Sequence, residues 1–185
     1  MDSFDTDRLH LRPLGTRDEV FYCGLYTDPG MMRHIATPMS PEAALRSFRA
    51  VLKQQGASRM VWTIAEHGRP ECGILGVMPK DVTAEVGVML LPQGRARGFA
   101  AEAIDAVANV IFGTGRFEWL WTRHAAANVP AAALMRRMGF EPFEPIDAPP
   151  LPAGMPAEQV YWRLTQVAWT AARKPAAMAT VQRSR

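Results

Sequence analysis

Residues 91–103 (LPQGRARGFAAEA) constrain this chain more than any other segment. An apolar, strand-like run at 86–91 leads into them, and a helix-like run continues to about Phe112. Between the two lie Gly94, Gly98, Ala96, Ala100 and Ala101, with Arg95 and Arg97 interleaved. Small residues let the backbone approach a ligand closely, and the first turn of a helix offers N–H groups without intrahelical partners. Those donors, with the positive end of the helix dipole, suit a pyrophosphate, to which Arg95 and Arg97 would add charge-assisted contacts. An ordinary glycine-containing loop before a helix is the other reading of the same residues.

The flanking pattern places this loop inside one mixed α/β domain. Residues 8–14 alternate polar and apolar and predict a half-buried strand. A helix is expected from about Arg17, burying Val20, Phe21, Leu25 and Tyr26 and broken at Asp28-Pro29-Gly30. Ser40-Pro41 opens a second helix, running to near Gln55. Three meander strands follow at 59–66, 71–78 and 83–91, with turns at 67–70 and 79–81. After the loop and its helix come a strand at 117–124, a helix at 128–138 ended by Gly139, a proline-rich loop at 141–157 and a strand at 159–164. A helix is expected around Val167-Ala168-Trp169, fraying into disorder by Thr180. The expected plan is one sheet of six to seven strands with about four helices, a domain at 1–165 and a basic tail at 166–185.

Charge and composition exclude several classes of function. The net charge is +3, but Arg173, Lys174, Arg183 and Arg185 lie in a tail without acidic residues, which leaves residues 1–165 at −1. A near-neutral body argues against a large nucleic-acid surface. No apolar run approaches the roughly 18–20 residues that span a bilayer, and the N-terminus lacks a secretion pattern. Cys23 and Cys72 stand far apart without metal-ligand spacing and are read as reduced thiols in a cytoplasmic protein, with no metal expected.

Three further motifs join the loop. Arg95-Ala96-Arg97-Gly98-Phe99-Ala100 resembles the signature of the GNAT superfamily of acyl-CoA-dependent N-acyltransferases: Arg or Gln, two residues, Gly, one residue, Gly or Ala. About thirty residues on, Asn128-Val129-Pro130 opens a helix that ends in Gly139-Phe140, which resembles that superfamily's second hallmark. Thr6-Asp7-Arg8-Leu9-His10-Leu11-Arg12-Pro13-Leu14 and Ala84-Glu85-Val86-Gly87-Val88 are similar to strands of the branch that acetylates ribosomal-protein N-termini.

The resemblance spans about residues 5–165 and implies acetyl-CoA in a V-shaped opening between the strands at 83–91 and 117–124. It implies pantetheine along Val88, Met89 and Leu90, and the pyrophosphate on Arg95, Ala96, Arg97, Gly98, Phe99 and Ala100. Asn128 would lie near the thiol end, and it also reads as a helix N-cap. Acceptors would be a protein N-terminus, a lysine or a small-molecule amine, and the protein a monomer or homodimer.

Acetyl transfer needs a neutral amine, an oxyanion donor and a proton for the leaving thiolate. The donor is expected from a backbone N–H around Met89 or Leu90. Glu85 leads as general base, against a reading as an ion-paired strand carboxylate. His124 is the second candidate, against a reading as a packed histidine. His34 and His67 are less well placed. Family members often carry a tyrosine or a serine where this chain has Met135 and Ala131, so neither usual hydroxyl is present. The alternative function is therefore an acyl-CoA-binding regulatory protein with weak or no catalysis. Met31, Met32, Ile35 and Met39 read as core or as acceptor pocket, Trp119, Trp121 and Trp162 as core, and Trp169 as a subunit contact.

Overall fold

The computed structural model describes residues 1–145 and 150–172. One sheet carries eight strands: β1 (Phe4–Asp5), β2 (Leu9–Pro13), β3 (Met60–Glu66), β4 (Glu71–Lys80), β5 (Thr83–Leu90), β6 (Trp119–Ala125), β7 (Glu141–Pro142) and β8 (Gln159–Thr165). Their order is β1-β2-β3-β4-β5-β6-β8-β7. Among the described residues the helices are α1 (Glu19–Thr27), α2 (Pro29–Met32), α3 (Pro41–Gln54), α4 (Phe99–Gly113), α5 (Val129–Arg137) and α6 (Gln166–Ala172). The mixed α/β plan expected from the sequence is borne out. The additional strands are two-residue edge pieces, β1 and β7.

Alternation divides the sheet into two faces. Ala84, Val86, Leu90, Leu120, Trp162 and Leu164 join Phe99, Ile104 and Ile111 of α4 in one core. Val61, Ile74 and Met89 pack instead with Tyr22, Leu25, Phe48 and Val51 of α1 and α3. This follows from the two-residue period of a strand, which sends successive side chains to opposite faces.

Several local expectations change. Val20 is 85% exposed, because the face of α1 that meets α3 is set by Tyr22 and Leu25. Asp28-Pro29-Gly30 ends α1 but starts α2: the Asp28 carboxylate accepts the Met31 N–H at 2.7 Å, with Pro29 at the first helical position. Pro79 lies within β4 opposite Ala84, and the turn is the tight pair Asp81-Val82, with Asp81 at φ 53°. Within the proline-rich 141–157 segment Glu141–Pro142 pairs with the edge of β8, where a missing N–H costs no ladder bond. Trp169 is buried within the chain, its ring centre 6.0 Å from that of Phe112, so α6 packs on the core instead of offering Trp169 to a subunit contact. The expected fraying by Thr180 lies outside the described residues.

Candidate active site

β5 and β6 form the sheet's parallel pair, and they pair only at Thr83–Glu85 with Trp119–Trp121. Beyond Glu85 the strands diverge: β5 stays paired to β4 and β6 to β8. Glu85 therefore sits at the apex of a V. A cavity of about 480 Å³ passes through this gap, lined by Val88, Ile104, Thr122 and Asn128 from the α4 side and by Tyr26, Ile74, Gly87 and Arg123 from the α1 side. A wider depression of about 830 Å³ beside α4 and Arg8 shares no lining residue with it.

The edge of β5 that faces the gap offers main-chain groups. Leu91 N–H donates to Cys72 O on β4 at 2.8 Å. By the strand's alternation Met89 also points at β4, while Val88 and Leu90 point at the gap. Of the two amides expected near an oxyanion, geometry thus leaves Leu90. Its own carbonyl accepts from Arg95 Nε at 2.9 Å.

The loop before α4 is built for close approach. Gly98 caps the helix at φ 83°, and Ala96 adopts φ 56°, a left-handed conformation that few alanines take. No backbone acceptor binds the amides of Ala96, Arg97 or Gly98 among the described residues, and the first-turn amides from Phe99 onward have no intrahelical acceptor. Both arginine side chains, expected to face an anion, are taken up by protein partners. Arg95 reaches Leu90 O and lies 3.0 Å from Met31 Sδ. Arg97 binds Glu66 at 2.8 and 2.5 Å and stacks on Phe99, 4.3 Å from its ring centre. The donors this loop leaves unbonded among the described residues are main-chain amides.

Arg8, which the sequence reading left unassigned, braces this loop. Its Nη1 donates to Arg97 O at 2.9 Å and its Nε to Glu102 at 2.7 Å. Burial works against the Glu102 charge, but hydrogen bonds from Thr6 and Arg8 outweigh it and hold the carboxyl below its usual range.

Glu85 and His124 part ways. Burial pushes the Glu85 carboxyl up, opposed by the charges of Arg123 and Arg59. His124 lies on the α4 face, where Nε2 accepts from Trp162 Nε1–H at 2.9 Å and Nδ1 meets Ala125 O at 2.8 Å. Because the indole only donates, Nε2 is the acceptor and Nδ1 carries the hydrogen. His124 borders the cavity, but both ring nitrogens are engaged by protein partners, which speaks against the proton-carrying role expected of it. Asn128 is the N-cap of α5, accepting the Ala131 N–H at 3.3 Å, and it borders the cavity.

The sequence reading missed four groups on the α1 side of the cavity: Tyr26, Arg59, Arg123 and Gln159. Alternation gives the signal in hindsight. Leu120 is core on the α4 face, so Arg123 must face the other way. Burial, then Tyr22, pushes the Tyr26 phenol up. Ile35 and His34 also line the cavity, whereas Met31 and Met32 are core and His67 Nε2 is bound to Thr6 O in its turn. Cys23 and Cys72 are free thiols, and burial pushes both up. The described residues hold no group of three or more metal-ligating side chains and no helix long and apolar enough to cross a membrane.

Solved structures share this fold at low identity. Spermidine N-acetyltransferase from Vibrio cholerae, solved with CoA and spermine, aligns with TM-score 0.74 at 16% identity, covering 89% of this chain and 99% of its own. The ribosomal-protein α-N-acetyltransferase RimL aligns at 0.74 and 14%, covering 89% and 94%. An acetyltransferase from Agrobacterium tumefaciens aligns at 0.74 and 24%, covering 90% and 95%. No curated protein matches the sequence. The acetyltransferase (GNAT) domain family matches residues 8–141, most of the described sheet and the whole splay. The chain belongs to the GNAT acetyltransferases.

Proposed function

We propose that this protein moves an acetyl group from acetyl-CoA to a primary amine by direct transfer in a ternary complex at the β5–β6 splay. The observation that carries the reading is the cavity at the gap where β5 and β6 part, with a carboxylate at its apex, and unbonded helix-start amides on the loop that follows β5. The donor's phosphates rest on the amides of residues 96–101. Its thioester arm lies along Val88 to Leu90, and the Leu90 N–H stabilises the oxyanion. Glu85, raised by burial, takes the proton from the attacking nitrogen. The C–N bond forms, the C–S bond breaks, and the thiolate leaves as a thiol once the proton held by Glu85 reaches it through water, which returns Glu85 to its carboxylate form. Free thiols at Cys23 and Cys72 suit a cytoplasmic setting.

Ala131 and Met135 border the cavity without a hydroxyl, which favours one competing reading, an acyl-CoA-binding regulatory protein. Thiol release from acetyl-CoA with a panel of amines, beside the thermal shift with CoA alone, separates the two. Amine-dependent release lost in Glu85→Gln supports transfer. A shift without release on any amine supports the regulatory reading.

A further inference from the structure

The α1 side of the cavity carries an electrostatic imbalance. Among its described lining residues the fixed charges are Arg59 and Arg123 against Glu85 alone, with His34 the other titratable cation and Tyr22 and Tyr26 the phenols. The Arg123 side chain is 8% exposed, and its Nε and Nη1 are buried without a hydrogen-bond partner among the described residues. Its Nε lies 3.3 Å from Glu85 Oε1, near enough to pair as charges but not aligned as a hydrogen bond. Gln159 donates through Nε2 to Pro156 O at 2.7 Å, while its Oε1 is buried and unbonded. A buried guanidinium whose donors lack protein acceptors is costly and suits an anion that brings its own acceptors.

Register puts these groups together. Arg123 is two residues past the last β5–β6 pair, on the same face as Glu85 and across the gap from Gly87. Gln159 pairs with Ala125, so it shares that face one step further along. On the transfer reading above, the amine that approaches Glu85 must have Arg123 beside it.

We infer that the acceptor is a small amine carrying a carboxylate close to its nitrogen, with Arg123 holding the carboxylate and Gln159 Oε1 receiving an N–H of the amine. Amino acids and their close analogues have this chemistry. A polyamine brings the wrong sign to a cavity with surplus positive charge. Arg123 is thus a specificity-determining residue, distinct from the base.

The test compares acceptors matched in shape: phenylalanine, its carboxamide, phenethylamine and spermidine, with aspartate and glycine and their carboxamides as further pairs. The carboxamide has the less basic amine and more of it neutral at pH 7.5, so without a carboxylate site it is the better acceptor. The expected result is the reverse, with kcat/KM at least about tenfold higher for the acid and the difference mostly in KM. Arg123→Gln should bring acid and amide within about threefold, and Arg123→Lys should restore part of the preference. The acid-to-amide ratio within one variant cancels any change that variant causes in Glu85. Both variants are checked for an unchanged CoA-induced thermal shift. Acetylated amines with no preference for the acid, or a preference that survives Arg123→Gln, overturn the inference and leave the transferase reading intact. No release on any amine fails the transferase reading and this inference with it.

Discussion

Arg12 grips Asp18 with two nitrogens: Nη1 donates to Oδ2 at 2.7 Å and Nη2 to Oδ1 at 2.6 Å. Glu71 of β4 accepts from the same guanidinium, and Gly15 N–H adds a bond to Asp18 at 2.8 Å. This buried clasp ties β2 and β4 to the start of α1, the helix that brings Tyr22 and Tyr26 to the cavity. Asp18→Ala leaves Arg12 paired with Glu71 but with idle buried donors, so it is expected to cost about 1–3 kcal/mol, less than a fully uncompensated buried charge. Denaturant unfolding measures it.

The same clasp sets an acid limit. Burial opposes the Asp18 charge, but Arg12 and Gly15 outweigh it and hold the carboxyl below its usual range; Arg12 does the same for Glu71. Carboxylates lowered by folding stabilise the native state above their unfolded values, about pH 4, and lose that contribution as pH falls through the folded ones. Melting temperature should drop steeply below about pH 4, and Asp18→Asn should flatten that slope.

Glu85 shifts the other way, upward through burial. The acidic limb of the pH–rate profile for kcat/KM should therefore lie above the ordinary carboxylate range. Glu85→Gln should lower the rate by about 10²–10⁴-fold and abolish that limb. An acidic limb unchanged in Glu85→Gln assigns the base elsewhere.

Gly73 lets β5 lie close against β4. A Cβ there would fall 2.4 Å from Met89 O and 2.5 Å from Leu90 Cδ2, and the backbone carbonyl cannot swing aside. Gly73→Ala should destabilise the protein by about 1–3 kcal/mol and raise the KM for acetyl-CoA by displacing residues 89–90.

Gly87 is the contrasting case. No atom lies within 4 Å of a Cβ built there, and the residue borders the cavity on the face it shares with Glu85. Gly87→Leu should fold normally and keep its CoA-induced thermal shift while losing most acceptor turnover. Comparing KM for donor and acceptor reads this directly.

Arg8→Ala should loosen the loop that Arg8 braces through Arg97 O. The expected effect is a several-fold rise in KM for acetyl-CoA with a smaller change in kcat. An unchanged donor KM would show that the loop keeps its shape without Arg8.

The sequence by itself determined the pieces whose conformation is local. Gly98 followed by a small-residue helix, Ser40-Pro41 and Asn128-Val129-Pro130 name their own helix starts, because capping and left-handed turns depend on a few adjacent residues. The alternating runs gave β2 to β6 within a few residues for the same reason. Tertiary structure decided the facing of the site. His124 and Arg123 are neighbours in one strand and both border the cavity, yet His124 is bonded through both ring nitrogens while Arg123 keeps buried donors without a partner among the described residues. Which of them the reaction can use depends on which face of β6 meets α4, and on where β5 and β6 stop pairing. Arg95 and Arg97, expected to face an anion, reach Leu90 O and Glu66 in the fold. Contacts of this kind depend on the packing of segments far apart in the chain, and no local pattern encodes them.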